Sequence, residues 1–187
     1  MSIDIAQVEA AIQSWLSQVV IAKGLCPFAS KPTLEGRVAI EVSVATKPED
    51  LLEDLHRALC RLEESSVAKL ETSLLVVPNM LANFYDYNDF LDVADALLVE
   101  GGWEGEIQIA SFHPAYQFAD TAVDDPENFT NRAPFPMFHL LREGSLEQAL
   151  ADFADPDAIP ARNIALFQAM TKAELQTLFP YCFNDQE

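Results

Sequence analysis

Three short apolar runs alternate with two amphipathic stretches, and this alternation limits the fold more than any other feature of the chain. Residues 38–44 place Val38, Ile40, Val42 and Val44 at period two, as a half-buried strand requires. Residues 73–77, Ser-Leu-Leu-Val-Val, are continuously apolar, which fits a strand buried on both faces. Residues 106–111 form the third run. Between the runs, Leu51, Leu52, Leu55, Leu59 and Leu62 recur at helical spacing, and so do Phe90, Leu91, Ala94, Leu97 and Leu98. Thr46 and Glu49 have capping-box spacing ahead of the first of these helices, with Pro48 in its opening turn. Strand–helix–strand–helix–strand is the pattern of right-handed β-α-β units on a parallel sheet. The expectation is an α/β fold: one domain over residues 1–187, with a small, mostly parallel sheet of three to four strands flanked by helices. Met137–Leu141 reads as a fourth strand whose direction the pattern leaves open.

The flanks read as helical. Ile5, Val8, Ile12, Trp15, Leu16 and Val19 mark a helix over residues 3–22, ended by Gly24. The helical C-terminal tail has capping-box spacing at Ser145–Gln148 and again at Thr171–Glu174, with Pro160 opening a helix between them. Residues 30–37 and 154–160 read as hinge-like. Residues 112–136 have neither helical nor strand period, yet they carry Phe112, Tyr116, Phe118, Phe129 and Phe135, which argues for a long ordered loop rather than disorder.

Charge and cysteine usage narrow the function classes. The 187 residues carry 11 basic against 30 acidic side chains, a net charge of −19. That field repels polyanions, so nucleic acid and anionic membrane are excluded as expected partners. No apolar run is long enough to span a bilayer. The start, Met-Ser-Ile-Asp-Ile-Ala, lacks the basic and apolar regions of a signal peptide, so the expected location is the cytoplasm, with free thiols. Cys26, Cys60 and Cys182 contain no C-x-x-C and no zinc spacing. Neither a dinucleotide glycine fingerprint nor a phosphate loop is present, which argues against simple ATP or NAD enzymes and leaves a metal as the open cofactor.

In open parallel sheets, ligands bind beyond the carboxyl ends of the strands. Asn79 follows the second strand and His113 the third, directly before Pro114. Arg132, beside Asn131, offers a planar guanidinium suited to carboxylate or phosphate; the plainer reading is a salt bridge to Asp120, Asp124, Asp125 or Glu127. His139 faces opposite to Phe138 and Leu140 if its run is a strand. Cys26, held extended by Pro27, is the candidate nucleophile, although a position past a helix C-terminus disfavours a thiolate. His56 and Cys60, at helical spacing, read as core filler and a half-exposed histidine. The expected function is an enzyme acting on a small anionic metabolite. His113, Cys26 and His139 would be catalytic, with Arg132, Asn131 and Asn79 holding the substrate. Two alternatives stand beside it: a non-catalytic module binding a small ligand or protein, and a two-histidine, one-carboxylate metal site of His113, His139 and Asp124. The enzyme reading requires His113 and Arg132 to converge on one pocket.

Four segments together resemble the bacterial and plastid domain-of-unknown-function family numbered 1415. They are Gly24-Leu25-Cys26-Pro27-Phe28, Phe112-His113-Pro114, Asn128-Phe129-Thr130-Asn131-Arg132, and Pro136 through His139-Leu140-Leu141-Arg142. The resemblance covers nearly the whole chain. It supports the choice of residues and implies no reaction. The family pattern more often has Ser where this chain has Ala133, so position 133 is set aside as a catalytic candidate.

Overall fold

The computed structural model describes residues 3–183 apart from 152 and 154. The chain opens with α1 (Ile5–Trp15), capped by the Asp4 carboxylate accepting from the amides of Ala6 and Gln7. It continues without a break as one wide π-helical segment, Leu16–Ile21, and a short α2 (Ser30–Leu34) follows. Then come β1 (Val38–Val42), α3 (Pro48–Glu64), β2 (Thr72–Val76), α4 (Phe84–Glu100) and β3 (Ile107–Phe112) in the expected alternation. A 3-10 turn (Pro126–Asn131), β4 (Met137–Arg142), α5 (Glu143–Leu150), α6 (Ala158–Gln168) and α7 (Lys172–Leu178) complete the main elements.

The four strands form one sheet in the order β1-β2-β4-β3. β1 and β2 pair in parallel, whereas β4 is antiparallel to both β2 and β3. The α/β class and the flanking helices therefore stand, and the open direction of β4 is resolved. β1, β2 and β3 do run the same way. The expected mostly parallel sheet is corrected: two of its three ladders are antiparallel, because β4 returns from the 113–136 loop and enters the gap between β2 and β3. Alternation along the chain sets strand direction; it does not say which strands pair.

Both crossovers advance across the sheet in the same sense, so right-handedness puts α3 and α4 on the same face. There Leu51, Leu55, Leu59, Tyr87, Phe90 and Ala94 pack on Leu75, Phe138 and Leu140. The Tyr87 hydroxyl donates to the Met137 carbonyl (2.8 Å) and accepts from the Phe112 amide (3.1 Å), bridging the ends of β3 and β4. The opposite face meets α1, the π-helical segment, the 126–131 turn and the C-terminal helices through Val8, Ile12, Val19, Phe129, Phe167 and Phe179.

Two of the expected caps do not form. Lys47, not Thr46, is the N-cap of α3 and makes no side-chain cap bond, since Pro48 already fixes the first helical position. α5 starts at Glu143, ahead of Ser145. The Thr171–Glu174 capping box is present in both directions.

Candidate functional site

The face opposite α3 and α4 is not filled. Against it lies a cavity of about 640 Å³, well within the size range of small-molecule sites. Its floor is the sheet: Val38, Thr72, Leu74, Ala110, His139 and Leu141. One wall is the helical N-terminal segment with Trp15, Leu16 and Val20, continued by Leu25, Cys26 and Phe28. The other walls are Phe118, Glu127, Thr130 and Asn131 from the long loop, and Leu146, Ala149, Ile159 and Ile164 from α5 and α6. Leu16 and Val20 belong to the π-helical segment, a backbone form that concentrates at functional sites. Asn163 ties α6 to this wall by donating to the Leu25 carbonyl (2.7 Å).

His139 is the polar centre of the floor. The Thr72 hydroxyl lies 2.7 Å from His139 Nε2 and 2.6 Å from the Leu140 carbonyl. A carbonyl only accepts, so the single hydroxyl proton goes to Leu140 and Thr72 accepts from His139 Nε2–H. This chain fixes the neutral tautomer and leaves Nδ1 with its lone pair. Burial, which disfavours the imidazolium, pulls the pKa of His139 down to about 4. The exposure the half-buried ring retains is to the cavity it lines.

Cys26 shares the cavity with His139. Burial raises its thiol pKa, and the backbone amides of Phe28 and Ala29 oppose this only in part. The thiol is thus protonated at neutral pH and not activated as a nucleophile. Asn131 also faces the cavity, with its side-chain N–H donating to the Ser111 carbonyl (3.0 Å).

The remaining expected residues lie elsewhere. His113 is 1% exposed and packs against Phe84 and Tyr87 of α4. Its Nδ1 accepts from the Ala115 amide (2.9 Å), so Nε2–H donates to the Leu81 carbonyl (2.9 Å). Both ring nitrogens are occupied, and Leu81, which accepts the second bond, has a left-handed backbone conformation, φ 58°. Burial lowers the pKa of His113 as well. Arg132 is also turned inward. Its Nε donates to the Tyr116 carbonyl (3.4 Å), a terminal nitrogen to the Val123 carbonyl (2.5 Å), and its guanidinium lies 4.3 Å from the centre of the Phe129 ring. It holds loop carbonyls rather than the acidic side chains of the salt-bridge reading, so His113 and Arg132 do not converge on the cavity. Asn79 and Asp124 are exposed and line no part of it. Asn79 falls outside because the cavity lies across a face of the sheet and not beyond its carboxyl edge.

The metal alternative fails on geometry. Among the described residues, no three His, Cys, Asp or Glu side chains are grouped to hold an ion. His113 has no free nitrogen, and His139 lies on the cavity floor, away from the α4 side where His113 packs. The anion-site expectation loses its cation too. Arg142, at the cavity edge, gives a terminal nitrogen to the carbonyls of Leu62, Ser65 (2.5 Å) and Leu70 (3.4 Å) at and beyond the end of α3. Glu71, paired with Arg37, and Glu127 are among the wall residues. His56 is exposed and lies edge-on to Trp103, while Cys60 is partly buried against the packed-face core.

Sequence reasoning missed Thr72, Trp15 and Asn128. Thr72 shares a strand face with Leu74, so period two marks its side but not its tie to His139. Trp15 reads from its spacing as a core residue of α1, and its indole N–H donates to the Arg132 carbonyl (3.0 Å), fastening the wall to the loop. Asn128 is fully buried and organises the loop, its side-chain oxygen accepting from the Phe118 amide (2.9 Å) and its N–H donating to the Ala122 carbonyl (2.8 Å).

Among the described residues, no helix is long and apolar enough to cross a membrane. No curated protein and no solved structure matches the chain. The family model described as a protein of unknown function, DUF1415, matches residues 7–177, and with the motifs of the 24–28 wall, the Asn131 loop and the His139 strand inside that span, the chain belongs to this family.

Proposed function

We propose that this protein binds a small, largely apolar, uncharged molecule in the cavity on the open face of its sheet. The observation that carries this reading is a space of about 640 Å³ walled by Trp15, Val20, Phe28, Phe118, Leu146 and Ile164, with polar groups only at a few points. Apolar walls with a few placed polar groups are the usual make-up of a small-molecule site. The anionic ligand expected from Arg132 is set aside, since that guanidinium serves loop carbonyls.

A thermal-shift screen of neutral apolar compounds tests the reading, because a ligand of the folded state raises the melting temperature. Ala110→Leu fills the floor from a strand position and is expected to abolish the shift. A shift that persists in full in Ala110→Leu puts binding elsewhere and sinks the proposal.

A further inference from the structure

The cavity has one polar atom whose role can be assigned from the bonds around it. Thr72 fixes the proton of His139 on Nε2, leaving Nδ1 as an acceptor. Among the described residues Nδ1 has no hydrogen-bond partner. It is also not sealed, for among the described residues the buried side-chain polar atoms lacking a partner are Arg142 Nε and Tyr181 Oη. The opening it has is the cavity that the ring lines. An acceptor at the bottom of an apolar space gains most from a donor, and leaving it unpaired beneath a bound apolar molecule costs free energy.

The surroundings indicate the shape and charge of the molecule carrying that donor. Trp15 meets Phe112 edge to face at 5.5 Å, and Phe112 lies 6.2 Å from the His139 ring. These aromatic rings lie close to the His139 ring and favour a flat partner. The largely apolar walls offer an anion little, Glu71 on them is paired with Arg37, and Arg142 gives a terminal nitrogen to the carbonyls at the end of α3. We infer that the ligand is a flat, uncharged, aromatic molecule whose single hydroxyl or N–H group donates to His139 Nδ1. This rests on the cavity-binding reading above and specifies its chemistry.

Three matched probes test it: naphthol, methoxynaphthalene and naphthoate, titrated calorimetrically at neutral pH. They share a ring system and present a donor, no donor and an anion. Wild-type protein is expected to bind naphthol about tenfold tighter than methoxynaphthalene, the worth of one net hydrogen bond, and naphthoate weakest. In His139→Phe the two neutral probes are expected to bind within about twofold of each other. Equal binding of the neutral probes in wild type, or naphthoate binding tightest, overturns the inference and leaves the cavity reading standing. No binding by any probe, together with no response to neutral apolar compounds in the thermal screen, overturns both. If His139→Phe does not fold, nitrogen-15 spectra of the wild-type imidazole decide: the Nδ1 resonance must move on adding naphthol and stay on adding methoxynaphthalene, and an unmoved Nδ1 overturns the inference.

Discussion

On one face of the sheet, α3 and α4 press Leu55, Leu59, Tyr87 and Phe90 into Leu75, Phe138 and Leu140. On the other, five separate segments gather over Val38, Thr72, Leu74 and His139 and leave a space of about 640 Å³. The residue types are alike on both sides, so hydrophobicity does not separate them. The difference lies in what covers each face. Two long helices set down by β-α-β crossovers lie close on a twisted sheet. The other face is covered by a helix that turns π-helical, a loop pinned by Asn128, and short helices, and these do not meet in the middle. The histidines follow the same division: His113, against α4, has both nitrogens bonded, and His139, on the open face, has one.

Stability measurements can break this contrast. The largest effect is expected on the packed face, where Leu59 is 0% exposed. Leu59→Ala should cost about 2–5 kcal/mol in urea unfolding, whereas Leu146→Ala, on the cavity wall, should cost no more than about 1 kcal/mol. Equal losses would mean that the open face is packed as tightly as the other.

Acid should expose the buried ring of the open face. In the unfolded chain a histidine takes up its proton near pH 6.5, as is usual for an imidazole, whereas folded His139 stays neutral down to about 4. The unfolded state therefore binds more protons between those values. Stability from this source is complete above the window and falls as the pH drops through it, by a total on the order of 3 kcal/mol. His139→Phe should lack this component, whereas His113, whose pKa burial also lowers, contributes to both proteins alike. Parallel pH profiles of the two would contradict the assignment.

A smaller effect is expected from His113→Phe. It strands the Ala115 amide and the Leu81 carbonyl, which costs about 1–3 kcal/mol, and it should leave ligand binding untouched. A binding defect without a stability defect would return His113 to the site. Smallest is Thr72→Val, at about 1 kcal/mol, read out as appearance of the second His139 tautomer in nitrogen-15 spectra. An unchanged tautomer would mean that Thr72 does not fix it.

The packed face was legible in the chain because its signals are local. Leucines at helical spacing and apolar runs between them specify α3, α4 and three strand directions. His139 was legible for the same reason, since period two sets it opposite to Phe138 and Leu140. His113 and Arg132 were not. They lie where the chain has no period, and their partners are backbone carbonyls, which every residue possesses and no sequence distinguishes. The π-helical segment was hidden as well, because Leu16, Val19 and Val20 suit an ordinary helix equally well. The pairing of β4 depends on where a loop returns in space, and that is not encoded in the spacing of the strands.

That pairing has a consequence for how the protein is made. β4 is the last strand along the chain and lies inside the sheet, between two strands made before it. Until residue 137 has been synthesised, β3 lacks β4, its ladder partner among the described residues. A nascent chain that has reached Phe112 holds the β1–β2 ladder, with the inner edge of β2 and both edges of β3 unpaired. Closing the sheet then requires the intervening loop to fold back first, and such non-local pairing is slow and leaves edges open to other chains. The hydrogen bonds of Asn128, Asn131 and His113 thus also decide how long the growing chain stays adhesive.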